Sequence, residues 1–206
     1  RDREIFIPDC FISKEDKAKI KQLFEKGKEI IIQYKKPYDS NSFYTDAIKM
    51  VNQAVLLFLP YDAKSVQKEE NFYDEALQVY NDIIKIRPET AQGHFNKGVL
   101  LMKLGKFEEA IKSFKDNRIG TVALKAKGPS EGAYEGFAYF KSGESEKGIN
   151  TIEIALVSRP DDYIAYYYKG EIFGELGEYK KALEAYDRVF SFNPYGNDRI
   201  ILNGYM

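Results

Sequence analysis

Apolar and small residues recur along most of the chain at the three- and four-residue intervals that place them on one face of a helix. The pattern is fullest near the carboxyl end, where Asp162-Tyr163-Ile164-Ala165-Tyr166-Tyr167-Tyr168-Lys169-Gly170-Glu171-Ile172-Phe173 precedes Leu176-Gly177-Glu178-Tyr179, then Ala182, Tyr186 and Pro194. At a spacing of 34 residues the same roles fall on Gly136, Tyr139, Gly143, Gly148, Ile152, Ala155 and Pro160. A further step of 38 from Gly136 reaches Gly98, with Leu101, Gly105, Phe107, Ala110 and Phe114 in register. Pro88 closes a unit before that, preceded by Ala76, Tyr80 and Ile83 at matching offsets. Each unit predicts two amphipathic helices separated by a Leu-Gly or Ser-Gly turn. On the second helix a small residue (Ala76, Ala110, Gly148, Ala182) meets the neighbouring helix. A ring or branched residue four positions later (Tyr80, Phe114, Ile152, Tyr186) fills the space beside it. Pro160 and Pro194 end helices, because proline lacks the donor and disfavours helix in the residue before it. Asp161-Asp162 then places carboxylates where the next helix begins, which capping and the helix dipole favour.

A period of 34 with small residues at two fixed places, aromatics at two others and a closing proline resembles the tetratricopeptide repeat family. The resemblance covers most of the chain and implies an all-α fold: a right-handed superhelix, or solenoid, of antiparallel helix pairs over residues 1–206. Within it, 163–196 and 129–162 read as regular units, although Gly148 replaces the usual alanine. Unit 91–128 starts typically but has Asn117 and Val122 at the closing small-residue and proline places. Its extra residues lie between Asn117 and Pro129, where an altered connection is expected. Residues 62–90 form an irregular unit with a short first helix. Residues 15–61 read as a degenerate pair, with Leu23, Gly27, Ala47, Val51, Ala54 and Pro60 in the corresponding roles and a loop-like stretch around Lys36 to Ser42. Residues 197–206 read as the opening of a further helix that stops part-way, or as a capping helix. Ile200, Ile201 and Leu202 are apolar for a cap, so a fragment of a longer protein, or a disordered end, is the expectation.

Composition narrows the function classes. The 206 residues include 16 Tyr and 14 Phe, enough apolar surface to offset the entropy of ordering the chain. With 31 basic against 32 acidic residues there is no global pull toward phosphate backbones, and nucleic acid is not an expected partner. No apolar run approaches the roughly 18 residues of a membrane span. Residues 1–12 lack the pattern of a signal peptide, and the first residue, Arg1, leaves room for something trimmed before it. The lone Cys10 cannot close an internal disulfide, which fits a reducing, cytoplasmic setting.

The chemistry of catalysis is sparsely represented. His94 is the single histidine and sits where the family usually has a ring, so packing is its expected role. Neither metal site nor cofactor is expected from one histidine and one cysteine. Gly143-Glu144-Ser145-Glu146-Lys147-Gly148-Ile149-Asn150 lacks the Lys-Ser/Thr of a phosphate loop and reads as the turn between paired helices. The pairs Glu69-Glu70, Glu108-Glu109 and Asp161-Asp162 lie at helix starts or on solvated faces. The chain is expected not to be an enzyme.

By family resemblance, the functional surface is a concave face lined by the first helix of each unit, which binds a peptide or helix of a partner protein. The residues mapped to it are Gln92, Phe95, Asn96 and Val99; Ser130, Ala133, Tyr134 and Phe137; and Ile164, Tyr167, Tyr168 and Glu171. Tyr166 and Phe173 are read as filling the inward positions of their helix, which would turn Tyr167 and Tyr168 elsewhere. Members of the family that bind chaperone tails carry a Lys, Asn and Arg clamp. The corresponding places here hold Phe95, Val99, Tyr134, Ile164 and Tyr168, which disfavours such tails because neutral rings cannot replace charge-assisted bonds. Lys28 and Asn96 match isolated clamp positions only. RNA binding would require a basic groove, and these positions hold no Lys or Arg. The expected function is therefore a scaffold recruiting a partner protein, with self-association of an open end also expected. The alternative is a docking or regulatory segment of a larger enzyme.

Overall fold

The computed structural model describes residues 13–33, 47–54 apart from 49, 71–121 apart from 89, and 131–192. Among these residues every regular element is helical. The helices are α1 (Lys14–Gln33), α2 (Phe72–Ile86), α3 (Ala91–Lys103), α4 (Phe107–Thr121), α5 (Glu131–Lys141), α6 (Ser145–Ser158), α7 (Tyr163–Glu175) and α8 (Tyr179–Phe192). Residues 47, 48 and 50–54 are helical as well. The chain divides into two compact units, Arg1–Leu100 and Leu101–Met206, with the boundary inside α3.

In the first unit, α1 opens on Ser13, whose hydroxyl accepts from the Asp16 backbone N–H at 3.0 Å and donates to its carboxylate at 2.9 Å. This closes a capping arrangement. α1 packs on α2. Ile20, Phe24, Val51, Ala54, Phe72, Tyr73, Tyr80 and Ile83 are buried there, with the Phe24 and Phe72 rings 6.3 Å apart. A side chain at Gly27 would stand 3.2 Å from the Val51 methyl and 3.7 Å from the Ala47 carbonyl, so this glycine marks a close helix crossing. α2 ends at Ile86, two residues before Pro88. His94 is buried with its Nε2 2.8 Å from the Pro88 carbonyl, a packing position.

In the second unit, α5 packs against α4, α6 and α7, while α7 packs against α5, α6 and α8. Each first helix of a hairpin thus contacts its own partner and the hairpin before it, which is the stacking that buries a continuous core in a repeat protein. The turns inside the hairpins are alike. Gly105, Gly143 and Gly177 have φ of 72°, 95° and 75°, a left-handed conformation that only glycine adopts without steric cost. The next residue then donates back across the helix end: Lys106 to Leu101, Glu144 to Tyr139 and Glu178 to Phe173, at 2.9, 2.9 and 2.8 Å. Gly136 and Gly148 lie where α5 crosses α6. A side chain on either would come within 2.7 Å of the other's carbonyl oxygen. Asp162, buried, caps α7 by accepting from the backbone N–H of Ile164 and Ala165 at 3.1 Å each.

The sequence expectations for 1–12, 34–46, 55–70, 122–130 and 193–206, including Cys10, Pro60, the short first helix of unit 62–90 and Pro194, fall outside the described residues. α4 runs on through Gly120 to Thr121, so the first part of the stretch expected to be irregular is helical.

Candidate functional site

The residues proposed from sequence fall in both units. On α3, Gln92 is exposed, Asn96 and Val99 are half-buried and Phe95 is buried. The amide of Gln92 donates to Asn96 Oδ1 at 3.2 Å, and Asn96 Nδ2 donates in turn to Asn52 Oδ1 at 2.9 Å. The same oxygen accepts the Tyr80 hydroxyl at 2.6 Å. Burial pushes the Tyr80 hydroxyl well above its usual range. Asn96 is thereby held in an amide and hydroxyl chain inside the first unit. Lys28 pairs with Glu25 at 2.9 Å and faces Glu75 at 3.6 Å. Its hydrogen bond to Glu25 raises its pKa, with the charge of Glu75 adding to the effect after burial is set against it. A cation already shared by two carboxylates is poorly placed to grip a third.

The second unit assembles an aromatic cluster. Tyr134 on α5 meets Tyr168 on α7 edge to face at 5.1 Å, and Phe137 stacks on the same Tyr168 ring at 4.6 Å. Tyr167 adjoins Tyr168 at 5.3 Å, and Phe114 of α4 lies 6.3 Å from Tyr134. These separations are the range in which ring pairs attract beyond their buried area. Tyr134, Ile164 and Tyr167 are only 6%, 8% and 7% exposed, whereas Phe137, Tyr168 and Glu171 are half-buried. The first group supports and the second presents a surface. The Tyr168 hydroxyl is pushed well above its ordinary range by burial, with Tyr134, Tyr167 and Glu171 adding to the effect.

Tyr167 faces α8, in a core cluster with Val189, and its ring lies 6.4 Å from that of Tyr186. This corrects the expectation from sequence, which turns Tyr167 away from that side. Tyr166 instead stacks on Phe192 at 5.8 Å and remains half-buried. The difference has a local cause. Tyr163 to Tyr168 are six consecutive apolar or aromatic residues, so periodicity leaves the inward face of α7 undetermined.

Several residues around the cluster lie outside the positions mapped from sequence. The Tyr186 hydroxyl donates to Glu171 Oε1 at 2.5 Å and orients that carboxylate from α8. A Cβ at Gly170 would lie 2.5 Å from the Tyr186 ring, so glycine there lets the ring seat against α7. Lys141 reaches from α5 to Glu175 on α7 at 3.0 and 3.1 Å, beside Phe137. Lys141 and Glu175 stand one 34-residue period apart, a signal that the repeat register carried. Lys169 pairs with Glu153 of α6 at 3.3 Å. Among the described residues no group of three or more His, Cys, Asp or Glu side chains is arranged to hold a metal ion, and no helix is long and apolar enough to cross a membrane.

Stacked antiparallel hairpins with glycine turns at repeat spacing define a helical-hairpin repeat protein. The tetratricopeptide repeat profile matches residues 61–116 and 135–196, more than half of the chain, and the protein belongs to that family. Proteins of this family are in general protein-interaction scaffolds. No curated protein matches the sequence. Among solved structures, a thermophilic TPR protein in Thermus thermophilus is similar at 15% identity, over 90% of this chain and 97% of that one, with a TM-score of 0.55. MamA from Desulfovibrio magneticus RS-1, residues 41 to the end, is 15% identical over 91% of this chain and 100% of that one, with a TM-score of 0.49.

Proposed function

We propose that the protein is a non-catalytic scaffold that binds a peptide or helix of a partner protein on the aromatic face of α5 and α7. The observation that carries this reading is the half-buried pair Phe137 and Tyr168, stacked at 4.6 Å, with the buried Tyr134 ring edge to face on Tyr168. Rings held rigidly by their neighbours lose little entropy on contact, which is why tyrosine and other aromatics recur as binding anchors. Glu171, oriented by Tyr186, adds an acceptor at the edge. The ligand class is an apolar segment carrying a few hydrogen-bonding groups. In the first unit, Gln92 and Asn96 supply a separate amide surface for polar contacts, since Asn96 is already fixed by Asn52. An acidic chaperone tail is a poor match, because the clamp positions of the clear repeats carry neutral side chains.

The test is a peptide-display screen against the native chain and a Phe137→Ala/Tyr168→Ala double variant, with circular dichroism verifying that both fold. The expected outcome is an apolar motif enriched by the native chain, whose synthetic peptide loses affinity by about thirtyfold or more in the variant, as loss of an anchor ring implies. Equal binding to both folded proteins would sink the assignment.

A further inference from the structure

Glu171 differs from every other position of the candidate surface. Of the twelve residues that the family resemblance maps to the concave face, it alone is charged. In the preceding unit its place is taken by Phe137, 34 residues earlier, the ring that stacks on Tyr168 at 4.6 Å. Tyr168 and Glu171 are three residues apart on α7 and so share a face of the helix, both half-buried. The negative charge of Glu171 is among the influences that hold the proton on the Tyr168 hydroxyl, as a carboxylate close to that ring would. The Tyr186 hydroxyl donates to Glu171 Oε1 at 2.5 Å and fixes the group, but it is neutral and brings no counter-charge. Cations on the same helices are paired elsewhere. The one lysine of α5, Lys141, holds Glu175 at 3.0 Å, and the one lysine of α7, Lys169, holds Glu153 at 3.3 Å. Among the described residues none forms an ion pair with Glu171. The surrounding charge has the same sign, since residues 131–192 hold twelve acidic and seven basic side chains, an excess that attracts cations to this part of the chain.

Resting on the reading of this face as a peptide-binding surface, we infer that the bound segment carries a lysine or arginine beside its apolar anchor, the cationic head pairing with Glu171 while the anchor lies on Phe137 and Tyr168. Charge complementarity selects this partner. A segment that covers the rings also removes water from the carboxylate, which is costly unless a counter-charge arrives with it. An acidic residue at that place would meet a like charge, and a neutral one would leave Glu171 uncompensated. A long aliphatic stem suits both parts of the site, because it lies along ring surface while its head stays at the carboxylate. The spacing follows from the helix. Three residues of α7 rise about 4.5 Å. In an extended segment, at about 3.3 Å per residue, the cation therefore falls one or two residues from the anchor. In a helical segment it falls three or four residues away.

The experiment is display of a random peptide library against the full chain and against Glu171→Gln, Glu171→Lys and Phe137→Ala/Tyr168→Ala, each verified as folded by circular dichroism. Glu171→Gln keeps an acceptor for the Tyr186 hydroxyl, so it carries the test if the reversal does not fold. The native chain is expected to enrich an apolar residue with a lysine or arginine at the stated spacing. The synthetic peptide of that motif is expected to bind Glu171→Gln about tenfold and Glu171→Lys about a hundredfold more weakly. The same peptide with norleucine in place of the cation is expected to bind the native chain and Glu171→Gln alike, the pattern of a directly coupled pair. Enrichment of apolar peptides without a cation, abolished in the ring double variant, would overturn this inference and leave the peptide-binding face standing. Equal affinity of the cationic peptide for the native chain and Glu171→Gln would overturn it in the same way. No enrichment, or enrichment indifferent to loss of both rings, would overturn the face assignment and this inference with it.

Discussion

Gly148 occupies the place that Ala76, Ala110 and Ala182 hold elsewhere in the chain, and its surroundings explain the exception. A Cβ there would lie 2.6 Å from the Gly136 carbonyl and 2.9 Å from the Phe140 backbone nitrogen. Both obstacles are backbone and neither can rotate aside. Gly148→Ala, although it restores the family's usual residue, is therefore expected to destabilise the protein by about 1–3 kcal/mol, the range for overpacking. Urea denaturation checks this through a lower midpoint at unchanged slope. The identity of the small positions was legible from their recurrence. Which of them needed to be glycine was not, because that depends on how closely α5 and α6 cross. The same applies to Gly170, whose space is taken by the Tyr186 ring. Asn52 was invisible to a reading of the repeat register. Its role arises only when the helical stretch 50–54 is brought beside Tyr80 and Asn96.

At the level of helices, boundaries followed closely from punctuation. The glycine turns and the residues before Pro88 and Pro160 end their helices where the spacing predicts, since left-handed backbone and proline act locally. The start of α7 rests on Asp162, which satisfies two otherwise unpaired backbone donors. Asp162→Ala is expected to cost about 1 kcal/mol, with Asp162→Asn close to native, measured by thermal unfolding followed by far-ultraviolet circular dichroism. Facing was legible only where polar residues interrupt the apolar ones. On α8 Lys180, Lys181, Glu184, Asp187 and Arg188 mark outward positions, but they leave exposed Tyr179, Leu183 and Phe190 indistinguishable from the inward Ala182, Ala185 and Val189, and the unbroken run at the start of α7 gives Tyr167 and Tyr168 equal claims. Tertiary packing decides between them, placing Tyr167 on Val189 and Tyr168 on the α5 rings. The aromatic membership of the candidate site was thus readable in the sequence, while its division into supporting and presented rings was not.

For the molecule as a whole, each compact unit holds a tyrosine whose hydroxyl resists ionisation: Tyr80 in the first and Tyr168 in the second, both chiefly through burial. Unfolded, each would ionise near its ordinary value of 10.0; folded, each keeps its proton at that pH. Above it the unfolded chain binds fewer protons than the native one. Stability is accordingly full below about pH 10 and falls above it by about 1.4 kcal/mol per pH unit for each tyrosine until its native pKa is reached. Lys28, with its raised pKa, acts in the same direction. Melting temperatures between about pH 10 and 11 are expected to fall less steeply in Tyr80→Phe and Tyr168→Phe than in the native protein. The hairpin turns carry a different consequence. No atom comes within 4 Å of a Cβ placed on Gly105, Gly143 or Gly177, so these corners project away from all packing. They are the points at which the chain would accept an inserted fluorescent reporter or newly created termini without disturbing a helix interface.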